Sequence, residues 1–291
     1  MKVLIGYDGS QSADAVFDDL KHAGLPPSDT ELIVASVGDL LMSSPPVQEM
    51  IVAAFSSQRV MSGLKQAQTH AEKVLKETEE FAAQGEKRVR EIFPDWRVRS
   101  EILTGTPAWV LIDAANDLNA DLIVVGSQGR SAIGRLFLGS VSKRLATDAR
   151  CSVRVARFHK PKVEGEPPRI VIGVDGSPAA EQAIYAVGQR VWQNGTKVRL
   201  VAVDDASPPV HIVARMPQAA AMIDSYFQNR EERVSRMLEW AKEEFNHIGL
   251  ETSVLREKGD PKGILLHEAE KWNADCIFVG ARDFKSGFER F

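Results

Sequence analysis

The chain repeats itself, and no other feature constrains its fold as strongly. Lys2 to Ser10 reads KVLIGYDGS, and Arg169 to Ser177 reads RIVIGVDGS, an offset of 167 residues. Asn119 to Gly126 (NADLIVVG) returns at Asn273 to Gly280 as NADCIFVG, an offset of 154. Gly105-Thr106-Pro107 returns at the same offset as Gly259-Asp260-Pro261. Three markers in one order identify two copies of one domain, the first carrying 13 more residues between its markers than the second. A length of 291 residues suits two domains, at roughly 100–200 residues each. The passage 159–168 (HKPKVEGEPP) disfavours helix and strand alike and reads as a linker. The domains expected are therefore 1–158 and 169–291.

Each half alternates strand and helix signals. Val3–Tyr7, Leu32–Val37, Val98–Leu103, Leu122–Val125 and Ser152–Ala156 are short apolar runs suited to buried parallel strands. Between them lie helical stretches: one capped by Ser10, one over Leu64–Ile92, one from Pro107 to Leu118, and one over Val141–Ala149. The fold class predicted is α/β, two tandem doubly wound (Rossmann-like) domains with parallel five-stranded sheets and helices on both faces. Ligands of such sheets sit beyond the carboxyl ends of the strands, where strand order reverses.

Composition removes several alternatives. A formal net charge of −4 argues against a dedicated nucleic-acid binder. Two cysteines, Cys151 and Cys276, build no disulfide framework and read as inert thiols in or beside strands. No apolar run nears the roughly 18–20 residues that span a bilayer. Asp8 interrupts the first apolar run too early for a signal peptide. A cytoplasmic protein is the expectation. The six histidines lack metal-ligand spacing, and no Gly-x-Ser-x-Gly elbow occurs. Glu86–Arg90 with Arg97 and Arg99 reads as a solvated mixed-charge face.

The connection after the fourth strand carries the chemistry. It runs from Gly126 through Gly129 to Gly139-Ser140, where a helix begins. Glycine lets backbone approach a ligand closely, and a helix N-terminus offers N–H donors and a positive dipole end to an anion. Ser140 and Ser142 add hydroxyls. The segment is neither a Walker loop nor the dinucleotide fingerprint, since the lysine and the glycine spacing are missing. Taken alone, turn-forming glycines and a capping serine explain it as well. Asp8 and Asp175 close the first strand of each half, aimed into the crevice or bonded in an Asx turn. Arg130 and Arg135 either screen a phosphate or are plain surface residues, and 37–63 is either a lid, a partner surface or an ordinary connection.

The strand ending Gly6-Tyr7-Asp8-Gly-Ser, with Gly126-x2-Gly129-x9-Gly139-Ser140, resembles the universal stress protein family. The duplication resembles its tandem members. The resemblance implies an adenine nucleotide, usually ATP, in the crevice of the first domain. Asp8 and Val37, with Gly6 and Tyr7 beside them, would approach base and ribose; Gly126, Gly129 and Arg130 would line the ribose and phosphate path. Gly139, Ser140, Val141 and Ser142 would hold the phosphates. It also implies a stress-response or regulatory protein, and association through fifth strands or as a homodimer with an unknown protein partner. The residues themselves supply no obvious general base or metal cage, so little or slow hydrolysis is expected, with Asp8 the candidate to help hold Mg²⁺. A scaffold without nucleotide and a slow ATPase or adenine-nucleotide hydrolase are the alternatives. The hydrolase relatives carry Ser-Gly-Gly-x-Asp or His-x-Gly-His, and this chain has neither.

The second half departs from the pattern. After Gly280, Asp283 stands where Gly129 stands in the first half. The chain stops at Phe291, before the expected Gly-Ser, last helix and fifth strand. The second domain is accordingly expected to be truncated or degenerate, with nucleotide binding confined to the first.

Overall fold

The computed structural model describes residues 1–39, 57–128, 138–157, 165–204 and 217–281. Contacts divide the chain into two units after Pro161. The first contains β1 (Lys2–Gly6), α1 (Gln11–Lys21), β2 (Glu31–Gly38), α2 (Ser57–Ile92), β3 (Arg97–Thr104), α3 (Pro107–Leu118), β4 (Leu122–Gly126), α4 (Ser140–Asp148) and β5 (Ser152–Ala156). Its five strands are all parallel, in the order β3-β2-β1-β4-β5. The chain leaves β1 toward β2 and β3, then crosses back to place β4 on the other side. Strand order therefore reverses between β1 and β4, and the carboxyl ends of these two strands border the crevice.

Period two along each strand divides the core between two faces. Val3, Ile5, Tyr7, Leu32, Val34 and Val124 pack beneath α1 and α2, with Val16, Phe17, Leu20 and Val89. Leu4, Ile33, Ala35, Ile123 and Val125 pack on the opposite face with Leu111, Ile112 and Leu145 of α3 and α4. Each such fully buried aliphatic side chain contributes about 1.5–3 kcal/mol. That explains why β1 and β4 read as unbroken apolar runs. The helix expected to begin at Leu64 starts earlier, at Ser57, and α4 lies one residue before its expected span. Asp19 on α1 and Arg154 on β5 form a two-pronged ion pair, with side chains about one-tenth exposed.

The second unit contains β6 (Arg169–Val174), α5 (Pro178–Gly188), β7 (Lys197–Asp204), α6 (Pro217–His247), β8 (Glu251–Lys258), α7 (Pro261–Lys271) and β9 (Cys276–Phe278). Among the described residues its sheet has four parallel strands, β8-β7-β6-β9, the same order as the first four of the first unit. It too has a core on each face. The repeat extends to details. Gly9 and Gly176 both have positive φ, and both precede a serine that caps the next helix.

Candidate functional site

Two helix starts and two strand ends frame the crevice of the first domain. At the end of β1, the Asp8 carboxylate accepts from the Ser10 N–H at 3.0 Å, an Asx turn. Asp175 repeats the bond with the Ser177 N–H at 2.9 Å. Ser10 then caps α1 by accepting from the Ala13 N–H. Asp8 is half-buried and lies two residues beyond the end of β1.

Tyr7 is 2% exposed and packs 5.2 Å from Phe17, on the α1–α2 side of the sheet. Its hydroxyl donates to Asp14 at 2.7 Å, and Arg88 of α2 donates to the same oxygen at 2.6 Å. Burial first, then the Asp14 carboxylate, pushes the phenol well above its ordinary range. The side chain of Tyr7 therefore belongs to the core. Its backbone is what borders the crevice, and its carbonyl accepts from Ser36 Oγ at 2.7 Å. Gly6 and Val37 lie on the other face. A Cβ on Gly6 would come within 2.9 Å of Leu111 and Val125 side chains. Val37 is half-buried against the same cluster as Val141.

Gly126 is indispensable for close approach. A Cβ there would lie 2.5 Å from the Ser12 carbonyl oxygen and 2.8 Å from the Ala13 nitrogen, so the first turn of α1 rests directly on the end of β4. Beyond it, Ser127 is a junction. Its N–H donates to the Ala156 carbonyl at 2.8 Å, and its own carbonyl accepts from the Gly139 N–H at 2.7 Å. The Ser142 hydroxyl shares its proton between the Ser127 and Gly139 carbonyls, each at 3.1 Å. Ser142 is 1% exposed, so its hydroxyl serves the backbone at the base of the connection. The segment that leaves β4 at Ser127 thus returns to the same place at Gly139. Gly129, Arg130 and Arg135 lie outside the described residues, as does most of 37–63.

α4 starts from Gly139, whose φ of −64° and ψ of 165° are extended backbone. Among the described residues no side chain caps it. The first N–H groups of a helix have no acceptor inside it. Ser10, Ser177 and Asp260 cap α1, α5 and α7; among the described residues the start of α3 at Thr106 has no side-chain cap either, although Pro107 removes one of its donors. The N–H groups of Ser140, Val141 and Ser142 and the dipole of α4 are what this end offers an anion.

One residue of the site, Ser12, escaped the sequence reading. Its hydroxyl accepts from the Gln128 N–H at 3.0 Å and lies 3.2 Å from the Ser127 hydroxyl. A signal was present in the repeat, where Ser12 corresponds to Ala179 and Ser127 to Ala281. In the second domain the close approach survives, because Gly280 lies against Ala179 in the same way, but both hydroxyls are absent from those positions. Among the described residues, no three His, Cys, Asp or Glu side chains gather as a metal cage. Cys151 is half-buried, and burial raises its thiol above the ordinary range. No described helix is long and apolar enough to cross a membrane.

The family model of the universal stress protein family matches residues 1–157 and again residues 167–291. A universal stress protein of Methanocaldococcus jannaschii is 38% identical over 80 residues, 27% of this chain and 46% of that protein. The chain spans less than half the length of the first curated relatives it matches. A universal stress protein of Archaeoglobus fulgidus shares the fold, with a TM-score of 0.56 at 20% identity over 95% of this chain and 85% of that one. A family protein of Arabidopsis thaliana, solved with AMP bound, has a TM-score of 0.35 at 15% identity over 55% of this chain and 92% of that one.

Proposed function

The chain belongs to the universal stress protein family, and from that premise we propose that its first domain holds an adenine nucleotide, ATP in the first instance, as a regulatory ligand. One observation carries the reading: the uncapped start of α4 at Gly139-Ser140, reached from β4 through a connection with the glycine spacing Gly126-x2-Gly129-x9-Gly139. Backbone N–H groups fit phosphate oxygens, and the dipole favours their charge. The triphosphate would lie against Gly139, Ser140 and Val141. Gly6 and Val37, on the α3–α4 face of the sheet, and Asp8 beyond the end of β1 would border base and ribose. Asp8 retains one carboxylate oxygen beyond the Asx turn for a ribose hydroxyl or a hydrated Mg²⁺.

The ligand acts by shifting populations between forms of the protein that a partner distinguishes. In this reading turnover is slow or absent. The second domain supports nucleotide binding less well. It lacks the hydroxyls of Ser12 and Ser127, and Asp283 replaces the second glycine in the sequence, a charge that would repel phosphate.

The first test is to denature the purified protein and identify released nucleotide by mass spectrometry, counting moles per chain. About one adenine nucleotide per chain supports a single site. No nucleotide, together with no thermal shift in millimolar Mg-ATP, overturns the proposal in favour of a scaffold.

A further inference from the structure

We propose that Ser12 is a positioning residue for the phosphate-binding end of the first domain: its hydroxyl clasps the outgoing end of the β4–α4 connection to the first turn of α1. The inference rests on the nucleotide reading above and adds to it the element that aligns the site.

Three elements meet within two residues of chain. Gly126 permits the contact, since any Cβ would strike the Ser12 backbone. Ser12 Oγ then accepts the Gln128 N–H at 3.0 Å, and the Ser12 and Ser127 hydroxyls lie 3.2 Å apart. Ser12 Oγ keeps a second lone pair and its proton after accepting from Gln128, so either hydroxyl can donate in the Ser12–Ser127 contact. Ser127 passes the constraint to α4 through its carbonyl, which accepts from the Gly139 N–H at 2.7 Å and from the Ser142 hydroxyl at 3.1 Å. The chain of contacts therefore runs from α1 through the end of β4 to the residue that begins α4. The donors proposed for phosphate are the next N–H groups along. Their direction depends on where Gly139 is held, and small misplacements of preorganised donors weaken binding.

The second domain supplies a natural comparison. The same backbone approach exists there without the clasp, because Ala179 and Ala281 stand at the two serine positions. The close approach is therefore a packing feature of the fold, whereas the two hydroxyls are an addition specific to the first domain. Helix capping does not account for Ser12, since Ser10 already caps α1.

The test uses the full chain and the variants Ser12→Ala and Ser12→Thr. Hydrogen exchange is read at the Gln128 and Gly139 amides without ligand, and affinities are measured for ATP and for adenosine. In Ser12→Ala the Gln128 amide exchanges faster, ATP affinity falls about 3- to 10-fold, the range of one lost hydrogen bond, and adenosine affinity stays as in the parent. Ser12→Thr, which keeps the hydroxyl, restores both. Unchanged exchange at Gln128 overturns the clasp, and so does equal loss of ATP and adenosine, which would mark a general structural effect. A parent chain that binds no ATP overturns the nucleotide reading and the phosphate-positioning role with it. The exchange rate at Gln128 then decides by itself whether the contact exists.

Discussion

Replacing Gly139 by aspartate separates the stability of α4 from its capacity to hold phosphate. Gly139 has φ −64° and ψ 165°, a region open to every L residue, so a side chain introduces no backbone strain. Aspartate is a favoured N-cap and exceeds glycine there by only a few tenths of a kcal/mol. Its charge at the positive end of the helix dipole adds about 0.3–1 kcal/mol. The melting temperature of the first domain should therefore hold or rise by about 1–3 °C. The same carboxylate would accept the N–H groups proposed for the nucleotide and stand where its phosphates belong. Two like charges about 4 Å apart repel by roughly 4 kcal/mol at an effective dielectric constant of 20. That corresponds to about a thousandfold in affinity. Calorimetric titration with ATP should show a loss of at least about a hundredfold on that basis, while adenosine changes little. Gly139→Asn caps without charge and should fall between parent and aspartate. An aspartate variant that binds ATP within a few-fold of a binding-competent parent would refute the phosphate assignment.

Three further outcomes follow from the same geometry. Gly126→Ala forces a methyl against the Ser12 backbone at 2.5 Å and should destabilise the first domain by about 1–3 kcal/mol or more; Gly38→Ala, whose nearest neighbours are side-chain atoms at 3.1 and 3.4 Å, should cost far less, and equal costs in urea denaturation would contradict the close-approach argument. Tyr7 has its pKa raised by burial and Asp14, so its contribution is intact below about pH 10, the unfolded value, and is lost as pH climbs from there toward the folded value. Tyr7→Phe should lose about 1 kcal/mol at neutral pH for the missing hydrogen bond and decline less steeply at more alkaline pH, and an alkaline limb identical to the parent's would show that another group is responsible. Asp19→Ala removes the two hydrogen bonds that the Asp19 carboxylate accepts from Arg154 at a site about one-tenth exposed and should cost roughly 1.5–3 kcal/mol, whereas Asp19→Ala with Arg154→Met should cost less than the sum of the two single changes, read by thermal unfolding; strictly additive losses would argue that the two residues act independently.

Much of the architecture was legible because it depends on local chemistry. Period-two and period-3.6 patterns place the strands and helices, and the twofold recurrence of their markers sets two domains of one topology. Ser10 and Ser177 announce helix starts, whereas the packing of α1 on Gly126 and of α5 on Gly280 emerges only in the structure. The candidate site was legible as far as its backbone reaches: the glycine spacing and the helix start at Gly139 are written along the chain.

What the linear order could not decide is which side chains share a space. Tyr7 and Asp8 are neighbours in sequence, yet Tyr7 goes to the core with Asp14 and Arg88, whereas the Asp8 carboxylate bonds the Ser10 N–H in a turn. Ser142 reads as a phosphate donor until the fold brings the Ser127 carbonyl to it. Ser12 reads as an ordinary helix residue until the parallel pairing of β1 with β4 sets α1 against Gln128, 116 residues away. By itself, the sequence determined which segments become strands, helices and turns, since those follow from propensity and periodicity over a few residues. Only the tertiary structure decided which hydroxyls and carboxylates meet, because those meetings depend on strand order and register, which couple residues far apart in the chain.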